Sequence, residues 1–146
     1  MVHALHEAQR VLRPEGLLVD LRPAAAHRRV GLSQAGRYRP VGVMREKFDN
    51  DRAADRAVTK VEREGWFKGE GRTQFACDRI MDSIEEFQEW LADFTNLGKL
   101  PSHDWLVQRV DRALDATGGA ARIVVTGPLV LRLLRKQEVT ARPAAA

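Results

Sequence analysis

The chain has 146 residues, 44% of them hydrophobic and 30% charged, with a net charge of +4. Such a composition folds about a core instead of staying disordered, and no apolar run approaches the ~20 residues of a membrane helix. The one cysteine, Cys77, excludes an intrachain disulfide and any multi-cysteine metal cluster.

The N-terminal stretch Met1-Val2-His3-Ala4-Leu5-His6-Glu7 has no signal-peptide layout, so a cytoplasmic location is expected. Residues 2–13 read as a helix, because Val2, Leu5, Ala8, Val11 and Leu12 recur at three- and four-residue steps. Pro14 stops it, and Glu15-Gly16 makes the turn, with Gly16 expected in the left-handed conformation. Leu17-Leu18-Val19-Asp20-Leu21 is a nearly continuous apolar run, the pattern of a strand buried on both faces, and Pro23 ends it. Residues 24–50 are mixed, with a weak strand over 38–44. Asp49-Asn50-Asp51 offers capping oxygens to a helix over 52–64, and Gly65 is its natural C-terminal stop.

Trp66 to Ile80 alternates enough for a strand or hairpin, with Gly69 and Gly71 as bend points. Ser83-Ile84-Glu85-Glu86 is a capping box. Behind it Ile84, Phe87, Trp90, Leu91 and Phe94 form an apolar stripe. The pattern restarts at Leu100-Pro101-Ser102, where Ser102 caps a helix over 103–117 that buries Trp105, Leu106, Val110 and Leu114 and stops at Gly118-Gly119. Ile123-Val124-Val125 and Leu129-Val130-Leu131, joined through Thr126-Gly127-Pro128, read as a hairpin. One domain over 1–140 is expected, with 141–146 a frayed tail.

The segment Ala4-Leu5-His6-Glu7-Ala8-Gln9-Arg10-Val11-Leu12-Arg13-Pro14-Glu15-Gly16-Leu17-Leu18-Val19-Asp20 resembles the helix, turn and fifth strand of class I S-adenosylmethionine-dependent methyltransferases. In that family the turn reads Pro-Gly-Gly; here Glu15 stands for the first glycine. The resemblance implies an α/β fold (α+β for a part of it), a partial Rossmann-like sheet with a C-terminal antiparallel hairpin and about four helices. The family holds its cofactor on a glycine-rich turn after the first strand and an acidic residue after the second. No Gly-x-Gly-x-Gly occurs in this sequence, and Gly69-Glu70-Gly71 is the nearest fragment. The implied protein is therefore a methyltransferase-like domain without its S-adenosylmethionine site, inactive alone. It has no cofactor of its own and takes S-adenosylmethionine only when the other half is supplied. Its open sheet edge near residues 2–21 is expected to pair with a second copy, a partner chain or its own residues 38–44.

Chemistry-bearing residues are sparse. His3 and His6, with Glu7 beside them, have two-ligand spacing but no third ligand nearby, so a solvated helix face is expected. His27 falls in an Ala/Arg segment, and His103 reads as a neutral surface imidazole at a helix start. Cys77 reads as a small buried hydrophobe and not as a nucleophile. Trp90 and Trp105 fall on apolar stripes and are assigned to the core, the commoner fate of Trp66 and Phe67 as well. No catalytic residue and no metal site emerges. Asp20, at the end of the apolar run, with Arg22 and Arg79, is the best candidate for a substrate pocket; Asp78 lies beside Arg79.

Arg accounts for 19 of the 24 basic residues. The densest stretch, Arg22 to Arg45, holds six of them with no acid between Asp20 and Glu46. It suggests an alternative role, a non-enzymatic module binding an anionic partner. Elsewhere acids interleave with the bases, so nucleic-acid binding is not expected from the sequence.

Overall fold

The computed structural model describes residues 2–96 and 103–138. The elements are α1 (Val2–Val11), β1 (Leu17–Pro23), β2 (Arg29–Gln34), β3 (Arg37–Val43), α2 (Asp49–Arg63), β4 (Phe67–Met81), α3 (Ile84–Asn96), α4 (Asp104–Asp115) and β5 (Arg122–Lys136). The fold is α+β. The strands form an antiparallel five-stranded sheet, ordered β1-β5-β2-β3, with β4 also paired to β5. No helix of the described residues is long and apolar enough to cross a membrane. The chain divides into two compact units, one from the described residues of 1–23, 49–74 and 130–146, the other from 24–48 and 75–129.

In the first unit, α2 buries Ala54, Ala57, Val58 and Val61, the i, i+3, i+4, i+7 stripe of an amphipathic helix. Ala57, Val58 and Val61 meet Leu5 of α1, Phe67 of β4 and Leu134 of β5, with Leu12 and Leu18 against them. Complete burial of such an aliphatic side chain stabilises by roughly 1.5–3 kcal/mol. Asp49 and Asp51 lie in the first turn of α2 and not ahead of it, where their charge suits the helix dipole. Gly65, at φ 75°, ends the helix. Its N–H donates to the Glu62 carbonyl and that of Trp66 to the Val61 carbonyl, a Schellman arrangement.

The second unit packs Phe87 and Leu91 of α3 and Leu106 and Val110 of α4 on Val30 and Leu32 of β2, Val41 of β3 and Ile123 and Val125 of β5. The capping box forms: the Glu86 N–H donates to Ser83 Oγ (3.2 Å), while Glu86 Oε2 accepts from the Asp82 N–H (3.1 Å). The cap expected at Ser102 and the tail over 141–146 lie outside the described residues.

Several expectations need correction. In the N-terminal helix Val11 is 66% exposed, while Leu12 takes the inward position. At the turn after it, Glu15 and not Gly16 has the positive φ, 59°. Gly16 is needed for space, since a Cβ there would sit 2.8 Å from the Arg13 carbonyl oxygen. Strand β1 is covered on one face only: Leu18, Asp20 and Arg22 are partly buried, whereas Leu17, Val19 and Leu21 are 41%, 54% and 54% exposed.

Residues 38–44 do not pair with β1, because β3 is bound along β2, with Ser33 opposite Tyr38 and Leu32 opposite Arg39. The expected C-terminal hairpin is one continuous strand. Thr126-Gly127-Pro128 runs straight through, Gly127 leaves room for the Arg28 side chain, and the Pro128 carbonyl accepts from the Ala24 N–H. Gly69 and Gly71 bend nothing; β4 is likewise a single strand.

Candidate functional site

In the first unit, alternation along β1 puts Asp20 and Arg22 on its covered face. Arg22 Nε donates to Asp20 (3.0 Å) and Arg22 Nη2 to Asp55 on α2 (2.7 Å). Arg132 Nη2, from β5, donates to the same Asp55 oxygen (3.0 Å). Two guanidiniums thus converge on one carboxylate. Burial pulls the Arg22 pKa down, but the hydrogen bonds and charges of Asp55 and Asp20 outweigh it and leave it raised above the ordinary guanidinium value. The cluster binds three elements, β1, α2 and β5, together. Two of its donors, Arg22 Nη1 and Arg132 Nε, are buried without a partner. Sequence spacing reveals Asp20 with Arg22; Asp55 and Arg132 carry no local signal.

Arg79 does not join this cluster. It belongs to the second unit, its guanidinium carbon 5.9 Å from the centroid of the Trp90 ring. Its neighbour Asp78 accepts from Thr126 Oγ1 (2.5 Å). His103 is buried, not at the surface, and its Nε2 accepts from the Arg45 N–H (3.2 Å). A cavity of about 510 Å³ lies beside it, lined by Gln88, Leu91, Asp104, Val107 and Gln108 among others. Trp105, assigned to the core from its stripe, is 47% exposed, and Cys77 is exposed and not buried. Trp66 and Phe67 do join the first core, with the His6 ring stacked 3.8 Å from that of Trp66. His27 Nδ1 accepts from the Glu46 N–H (3.1 Å).

The arginines of 22–45 divide into two sets. Arg22 is held as above, and Arg28 forms a largely buried pair with Glu46 while lying over the Phe94 ring, 4.8 Å from its centroid. Arg29, Arg37, Arg39 and Arg45 are exposed, and no carboxylate among the described residues pairs with them. No family model, no curated protein and no solved structure matches the chain.

Proposed function

We propose that the chain is a methyltransferase-like portion of a larger catalytic unit, not itself a catalyst, completed by a polypeptide that covers β1. The observation that carries this reading is β1. Its covered face carries Leu18 with the ion-paired Asp20 and Arg22, while the face left open is wholly apolar. Leu17, Val19 and Leu21 lie open, and β1 hydrogen-bonds β5 alone among the described strands. The covering polypeptide is the cofactor-binding half or a second copy of this chain.

Two measurements test this. Calorimetric titration of the chain with S-adenosylmethionine should give no binding heat, and micromolar affinity would overturn the reading. Light scattering at rising concentration should show association that Val19→Lys abolishes. A clean monomer at millimolar concentration, together with no in-frame glycine-rich strand–turn–helix upstream of the Met1 codon, would also overturn it.

A second reading is supported by the four exposed arginines. We infer that Arg29, Arg37, Arg39 and Arg45 serve to bind an anionic partner, with the sheet as scaffold. Salt-dependent retention on heparin is the expected behaviour, and passage without retention at low salt refutes it.

A further inference from the structure

The second unit gathers a basic and aromatic surface that no single stretch of sequence displays. On α4, Trp105, Arg109 and Arg112 stand at i, i+4 and i+7 and so share one face of the helix. Asp104, Asp111 and Asp115 lie on its flank, about 80° or more around the helix from Trp105 at 100° per residue. On β3, the pairings Leu32–Arg39 and Gln34–Arg37 put both arginines on the face of the sheet that carries buried Leu32. That is also the face on which α4 lies. Opposite Val30 is Gly42, where a Cβ would meet Leu106 at 2.7 Å and the Trp105 ring at 3.7 Å. Glycine at 42 therefore lets the Trp105 indole rest against the edge strand while 47% of the residue stays in water. Arg45 is tied to the start of α4 through His103.

Arg37, Arg39, Arg45, Arg109 and Arg112 are all exposed, and none has a carboxylate partner among the described residues. A face rich in arginines that no carboxylate pairs with selects a polyanion by charge. An exposed indole set among the arginines selects one that carries planar rings, because bases stack on tryptophan. In a duplex the bases are already stacked on one another and unavailable to the indole. We propose that the α4–β3 surface, with Trp105 as its stacking platform and Arg37, Arg39, Arg45, Arg109 and Arg112 around it, binds single-stranded nucleic acid. This rests on the anion-binding reading above and names its partner.

The test is fluorescence anisotropy of the full chain with labelled 15-residue oligouridylate and oligothymidylate, with a duplex of equal length and heparin alongside. Both single strands should bind more tightly than the duplex, the two arms showing whether RNA or DNA is preferred. Trp105→Ala should weaken binding about tenfold, with Trp105→Phe retaining most of it. Replacing Arg109 and Arg112 together by Gln should lower the slope of log K against log salt by about 1.4; being changes at exposed positions, they read the surface independently of how Trp105 packs. Equal binding of duplex and single strand, or heparin binding with oligonucleotide affinity indifferent to Trp105→Ala, would overturn the proposal while leaving the anion-binding reading intact. No binding of any polyanion would remove both.

Discussion

Glu15 holds a left-handed conformation that costs an ordinary residue about 1–2 kcal/mol. What keeps it there is the surrounding turn. The Gly16 N–H donates to the Arg13 carbonyl, and Arg135 Nη1 donates to the Glu15 carbonyl (2.7 Å). Both bonds use backbone acceptors, so Glu15→Gly removes the conformational cost and keeps the contacts. It should raise stability by about 1 kcal/mol in urea denaturation. A loss of stability would show that the side chain itself matters. The same arginine also grips Glu70 on β4 through Nε and Nη2. That hydrogen bond, reinforced by the Arg135 charge, holds the Glu70 carboxyl below its ordinary value near 4.5. A folded pKa below the unfolded one gives stability that is complete above the unfolded value and is lost as pH falls through the folded one. Glu70→Gln should therefore narrow the gap in Tm between pH 7 and pH 3. An unchanged gap would mean that the pair contributes nothing.

At the level of elements, what was legible in the sequence was local. The Ser83 capping box, the Gly65 stop and the apolar stripe of α3 depend on residues within one or two turns, and each forms as its spacing predicts. The strands depend on distant partners and were read less well. Thr126-Gly127-Pro128 has the composition of a turn, but the Arg28 side chain packs 3.0 Å from where a Cβ at 127 would be, and the strand continues. Strand β3 carries a bulge, with Val41 the extra residue between Pro40 opposite Gly31 and Gly42 opposite Val30, which hides its alternation. Gly31 is fixed by its neighbours: a Cβ would lie 2.4 Å from the Tyr38 ring and 2.6 Å from the Arg39 carbonyl oxygen. The ring can swing away, but the carbonyl of a paired strand cannot. Gly31→Ala should cost about 2 kcal/mol in thermal or urea unfolding, and a neutral result would mean that β3 shifts freely along β2. The candidate sites follow the same rule. Asp20 and Arg22 are two residues apart and were recognisable together, whereas Asp55 lies 33 residues from Arg22 and 77 from Arg132.

For the molecule as a whole, one strand serves both cores. Strand β5 gives Ile123 and Val125 to one and Leu134 to the other. It is also the last of the described elements along the chain. During synthesis, one core cannot close until the ribosome has released Val125 and the other until it has released Leu134, and the helices made earlier must wait with their apolar stripes uncovered. A nascent chain of this design depends on late, long-range pairing, which favours slow maturation and a need for chaperone protection while it is being made.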